Sequence, residues 1–330
     1  MDQTNTFSKE EANNVASSVI GRGMEGHMNQ VGVLSKKEKS NPITDSFMGR
    51  KIKDRLFLSV VILFSAITIS MVFLIIGTLV FKGHHQINWD FFTKTAPNTF
   101  EAMMAKSSGQ LIPGGIVNGI LGSLYLVAIA SLIAIPLGVL IGIYVYENQQ
   151  KKYAGFLRDT ADVLQGVPSI VIGLIVYLWV VVQVTHGYSV LAGGVALAIM
   201  MLPLIMRSTE ESLKMIPDTL KEAAMALGTP YYKVILRVLI PTSFSGLMTG
   251  ILLAISRILG ETAPLMLTTL GNPDINWNIA KPVSAVPLLI WQFYNDPNMV
   301  DLIWSSTLFL MGFVLVLNML SKWIATKRKI

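Results

Sequence analysis

RSTEESLKMIPDTLKEAAMALGTPYYKVILRVLIP, residues 207–241, is a polar interval between two strongly apolar runs. Thr219 and Glu222 have the spacing at which a hydroxyl and a carboxylate cap a helix start reciprocally. Gly228 stands where a residue of positive φ ends a helix, and Pro230 follows it. The spacing predicts a short helix over about 219–227. What such a helix is for depends on what flanks it.

Working outward, the flanks are membrane. The chain has 330 residues, 52% hydrophobic and 14% charged, with a mean hydropathy of +0.56; soluble domains carry roughly 25% charged residues. Crossing ~30 Å of hydrocarbon at 1.5 Å per residue takes about 20 apolar residues. Six runs approach or exceed that length, at about 56–81, 117–145, 167–184, 189–206, 239–263 and 303–323. Pro136 lies inside the second, which is read as one span because neighbouring helices can satisfy the carbonyl that proline frees. The expectation is an all-α membrane protein with six transmembrane helices. Lys and Arg fall sixteen on the side of residues 50–55, 146–166, 207–237 and 322–330, against four on the other. Both termini are therefore expected in the cytoplasm.

The same distribution accounts for the net charge of +6. The basic residues sit beside apolar runs rather than on one patch, which argues for membrane lipid and against nucleic acid. With no cysteine there is no disulfide framework and no thiolate metal site, and no metal is expected. The first apolar run is too long and too far from the start for a cleaved signal. Residues 1–50 are polar and read as a disordered cytoplasmic tail. Segment 271–302 is too short and too interrupted by proline to span, and its Trp291, Phe293 and Tyr294 suit a membrane interface.

The fifth run carries charge, in RILGET at 257–262. On a continuous helix Ser243, Gly246, Gly250, Ala254, Arg257 and Glu261 share one face. The small residues alone describe a packing seam, closed by an Arg257–Glu261 pair. An arginine near mid-membrane costs roughly 2.5–3.5 kcal/mol on insertion scales, however, and marks a solute path. Counted from Pro241 at the cytoplasmic surface, Arg257 stands about 24 Å up the helix, in the outer half of the bilayer. Its planar fork suits tetrahedral oxyanions. Arg207, at the end of the fourth span, either extends that basic path or anchors the span at the interface.

Glu222-Ala223-Ala224, three residues, Gly228, nine residues and Val238-Leu239-Ile240-Pro241 resemble the EAA motif of ABC importer permeases. That resemblance implies a MetI-like ABC importer permease fold, whose cytoplasmic coupling helix docks on a separate ATPase through Glu222, Ala223, Ala224 and Gly228. This chain has no G-x-x-x-x-G-K-[ST], so it is expected to have no catalytic centre and no cofactor of its own, with ATP and Mg used by the partner. The segments 114–147, LQGVPSIVIGL at 164–174, LPLIMRSTEESLKMIP at 202–217 and AISRILGETAPLMLT at 254–268 look like permease subunits of the bacterial phosphate-specific (Pst) ABC transporters. The resemblance implies inorganic phosphate import across the cytoplasmic membrane. It also implies a related permease subunit, a dimeric ATPase and an extracytoplasmic phosphate-binding protein, with Arg257, Glu261 and Arg207 in the phosphate path.

An acid beside an anion path fits a solute that still carries a proton. Phosphate near neutral pH has an O–H that a carboxylate accepts and sulfate has none, so Glu261 is expected to help reject sulfate. The EAA loop alone leaves sulfate or molybdate open as the solute. A proton-coupled secondary transporter would need acidic or histidine relays in several spans, and only Glu261 qualifies. An intramembrane protease would need a base in the bilayer, but His27, His84, His85 and His186 all lie in tails or loops.

Overall fold

The computed structural model describes residues 44–327, all its regular structure being helical. In chain order the helices are α1 (Thr44–Gly83), α2 (Trp89–Thr93), α3 (Thr99–Ser107), α4 (Val117–Glu147), α5 (Lys152–Gly166), α6 (Ser169–Val181), α7 (Val190–Lys214) and α8 (Asp218–Ala226). They continue with α9 (Tyr231–Thr242), α10 (Phe244–Ile258), α11 (Ala263–Thr268), α12 (Val286–Tyr294) and α13 (Val300–Lys327). Two compact units divide at Phe73, within α1; the second runs from Leu74 onward. The expected tail 1–50 falls outside the described residues up to 43, and its last seven residues already belong to α1.

Four stretches are long and apolar enough to cross a membrane alone: Lys53–Gly83, Val117–Glu147, Val190–Lys214 and Val300–Ile324. Two bent pairs bring the number to six when each counts as one span: α5 with α6, bent by 103°, and α9 with α10, bent by 70°. The expected fifth span, 239–263, is thus not a single straight rod, whereas the expected third, 167–184, corresponds to α6 and lies after the first bend. Pro168 stands at the first bend, and a residue ahead of proline is pushed out of the helical region. At the second, Pro241 offers no N–H, and the turn before it loosens into a π-helical stretch at Ile235–Leu239. Pro136 and Pro203, by contrast, stay inside continuous helices.

α4 and α7 pack along a glycine seam. A Cβ at Gly138 would stand 2.8 Å from the Ile205 side chain, and one at Gly142 2.6 Å from Thr209. The main core fills the space these helices share with α10 and α11, through Leu126, Ala130, Leu197, Met201, Ala254, Ile258 and Leu265. α7 starts cleanly because the Ser189 hydroxyl accepts from the Ala192 N–H at 3.2 Å. α10 lies against both α7 and α13. α12 is a nine-residue helix in which Trp291 and Tyr294 are exposed, as an interfacial element requires. Phe293, expected beside them, is instead buried with Phe91 and Val286.

Candidate functional site

α7 and α10 enclose an open cavity of about 400 Å³ lined by Leu204, Arg207, Ser208, Glu211, Gly250, Leu253, Ala254 and Arg257. Both predicted arginines therefore meet in one place. Arg207 does not end a span, and the straight-rod count that set Arg257 in the outer half of the bilayer does not apply. α7 continues seven residues past Arg207 to Lys214. The 70° bend ahead of α10 removes the straight rise from Pro241 on which the height of Arg257 depended.

Glu261 does not join them. α10 stops at Ile258, and the chain turns through Leu259 and Gly260 before Pro264 opens α11. Glu261 therefore lies beyond the helix rather than on its face, is half-buried and is not part of the cavity lining. Among the described residues no ion pair joins it to Arg257, so the expected intramembrane pair is absent. The rest of the predicted face holds: Gly246 and Gly250 sit directly against Ser212 and Ser208 of α7. A second cavity of about 400 Å³ continues along this seam, sharing Ser208, Gly250 and Leu253 with the first and adding Ser212, Thr242, Ser243, Ser245 and Thr249 beside the apolar Met215, Ile216 and Pro217.

The two arginines differ in electrostatic state. The Arg207 guanidinium forms a two-pronged contact with the Asp162 carboxylate of α5, its Nε donating to Oδ1 at 3.2 Å. Its Nη1 also lies 3.6 Å from Glu210. Glu210 is 1% exposed and is the hub of this cluster: Arg158 donates to Oε1 through Nε at 2.8 Å and Lys214 through Nζ at 2.6 Å. Burying a carboxylate is tolerable only when it is paired and hydrogen-bonded, which these cations achieve at Oε1, while Oε2 has no hydrogen bond and only the approach of Arg207. Arg257 is exposed and takes part in no ion pair among the described residues. Of the two lining guanidiniums it is the one with free charge.

Asp162, Glu210, Arg158 and Glu211 were not anticipated. A signal existed: Arg158 and Asp162 are four residues apart, as are Glu210 and Lys214, and Arg207 precedes Glu210 by three, spacings that put opposite charges on one helical face.

The predicted cytoplasmic helix is α8, one residue earlier than expected at each end. Pro217 occupies its N-cap position, so the expected Thr219 cap does not form. Gly228 adopts φ +76° as its position requires, and its N–H donates to Met225 O at 2.9 Å. Glu222 and Ala223 are exposed, whereas Ala224 packs partly against Tyr146, Leu213 and Val234. Lys221 pins the helix to the end of α4 through Glu147 at 2.8 Å and lies over the rings of Tyr146 and Tyr231. Beyond the helix the side chains of Met215 and Leu227 are strongly exposed.

Residues 134–328 match the family of binding-protein-dependent transport system inner membrane components. The phosphate transport system permease protein PstA of Haemophilus influenzae is 35% identical over 279 residues, 84% of this chain and 95% of that protein. The chain belongs to the PstA family. The PstA of Yersinia pestis is 42% identical over 219 residues, 66% of this chain and 74% of that one. Among solved structures, the inward-facing methionine ABC transporter MetNI has a chain with a TM-score of 0.55 at 18% identity, covering 64% of this chain and 94% of its own. At that identity the likeness speaks for the fold alone. The fold is thus that of a MetI-type permease, while the family match is what makes this PstA family member an inner membrane component of a transport system.

Proposed function

We propose that this chain is the membrane-spanning permease of an ABC importer that carries inorganic phosphate inward across the cytoplasmic membrane. The observation that carries the reading is the match to the Haemophilus phosphate permease over 95% of its length. The cavity between α7 and α10 supports it, because an exposed arginine in an apolar span is costly unless it meets water or an anion. Arg257 is the cation offered to phosphate, and a guanidinium fork can hold two oxygens of a tetrahedral oxyanion at once. Arg207, already neutralised by Asp162 and Glu210, adds direction and positive potential rather than a free charge. Glu261, outside the lining, is given no contact with the solute.

No bond of the solute is made or broken, and the chain acts with a related permease subunit and an extracytoplasmic phosphate-binding protein. A dimeric ATPase hydrolyses ATP with Mg. The exposed side of α8, with Glu222, Ala223 and Leu227, is the coupling surface for that ATPase, and the positive-inside count places α8 and both termini in the cytoplasm. Closure of the ATPase would press on α8, and Lys221–Glu147 would pass the movement to α4.

The test is uptake of labelled phosphate at micromolar concentration by cells lacking this gene, with the gene restored, and with R257A restored. Uptake is expected to depend on the gene, to ignore excess sulfate, and to fall about tenfold or more in R257A, the scale of a lost charge-assisted hydrogen bond. Uptake that is indifferent to the gene or blocked by sulfate would assign the permease another oxyanion.

A further inference from the structure

Glu211 stands in the same cavity lining as Arg207 and Arg257. Its neighbour Glu210 points elsewhere, consumed by Arg158 and Lys214. Glu211 itself is exposed; among the described residues no hydrogen bond or ion pair engages it, and it acts on Arg207 only through space. A cavity built to draw in an anion has kept a carboxylate without a hydrogen-bond partner beside the unpaired Arg257. For a fully ionised anion that is purely unfavourable: the carboxylate repels it, and an ionised carboxylate has no proton to donate. For an anion that keeps a hydroxyl, the carboxylate is a strong acceptor.

Resting on the reading of the chain as a phosphate permease, we infer that Glu211 is a specificity-determining residue that admits protonated oxyanions and turns away sulfate. Phosphate near neutral pH carries at least one O–H. With two of its oxygens on Arg257, a third oxygen can donate that hydrogen to Glu211 across the cavity. Sulfate offers only acceptor oxygens, so at least one faces the carboxylate unpaired. The role that the sequence suggests for Glu261 thus passes to Glu211, because it is Glu211 that α7 brings to the arginines.

The binding protein above the membrane filters anions first, so the test removes it. The detergent-solubilised complex of permeases and ATPase, without binding protein, is titrated with inorganic phosphate and separately with sulfate, in wild type and in Glu211→Gln, Glu211→Asp and Arg257→Ala. Wild type is expected to bind phosphate about tenfold or more tightly than sulfate. Glu211→Gln should close that gap from both sides, weakening phosphate and strengthening sulfate. Glu211→Asp should keep the preference for phosphate, and Arg257→Ala should lose both anions. A residue that merely props the cavity would shift both affinities in the same direction. An unchanged phosphate-to-sulfate ratio in Glu211→Gln, equal binding of the two anions by wild type, or no binding of either would overturn the inference. Any of these, with gene-dependent phosphate uptake intact in cells, would leave the transport reading standing. Loss of that dependence would instead remove the reading itself.

Discussion

Replacing Gly250 by alanine tests the contact on which both cavities depend. A Cβ at this position would stand 1.6 Å from Ser208 Oγ and 2.3 Å from Ser208 Cβ. Turning the hydroxyl relieves the first overlap but not the second, since Ser208 Cβ is fixed to α7. Carbon atoms rest at about 3.5–4.0 Å, so α7 and α10 must separate by more than about 1 Å. Overpacking of this kind costs about 1–3 kcal/mol, and alanine returns up to about 1 kcal/mol as the better helix former. A net loss of about 1–2 kcal/mol is expected, read as a lower unfolding temperature of the solubilised complex, together with reduced phosphate uptake because Ser208 and Gly250 line both cavities. The decisive arm is the double variant. S208G in the G250A background removes the atom that clashes and should recover most of the lost stability, although S208G alone destabilises by adding a helical glycine. If G250A melts with wild type, or if S208G makes it worse by the full amount it costs alone, the seam is not packed as described.

G312A is the counterpart: nothing lies within 4 Å of a Cβ there, in the middle of α13, so a stabilisation of about 0.5–1 kcal/mol is expected in the same melt. E210Q takes the charge from the hub that binds Arg158 and Lys214; since those cations are partly exposed and can turn to water, the cost should be about 1–3 kcal/mol in unfolding rather than that of a fully buried break. K221E sets a second carboxylate against Glu147 and should depress uptake, while E147K together with K221E restores the pair and part of the uptake. G228A has room for its methyl but must hold φ +76°, so it should lose about 1 kcal/mol locally, visible as faster amide exchange across α8.

The membrane class and the long spans were legible because hydropathy alone governs them: α4 appears where its apolar run predicts, with Pro136 absorbed. The short cytoplasmic helix was legible from Gly228 and Pro230. What failed were inferences that needed a straight rod. The apolar pattern of 239–263 does not report that Pro241 and Ser243 bend the chain, or that Gly260 and Pro264 end the helix before Glu261. The face drawn through Arg257 and Glu261 was correct only as far as Ala254 and Arg257. The charged hub was hidden for a different reason. Sequence showed the i, i+3 and i, i+4 spacings within α5 and within α7 but not that a 103° turn between α5 and α6 leaves α5 beside α7, where Asp162 reaches Arg207 and Arg158 reaches Glu210.

The breaks in the spans have a physical purpose that ties fold to path. In hydrocarbon every backbone polar group needs a partner, and irregular backbone survives only where protein or a water-filled space supplies one. At the α9–α10 bend the Ser243 hydroxyl donates to Leu239 O at 2.9 Å, and Thr242, Ser243 and Ser245 around it all face a cavity. The bend is tolerated there because side-chain hydroxyls at it take up helix carbonyls, as Thr242 does Val238 O and Ser243 does Leu239 O. It also sends α10 off at an angle that lets Gly246 and Gly250 meet Ser212 and Ser208, bringing Arg257 level with Arg207. The proline and serine that defeat the simple reading of this span are thus the residues that assemble the basic cavity, and the free charge of Arg257 is usable because Asp162 and Glu210 have already quieted that of Arg207.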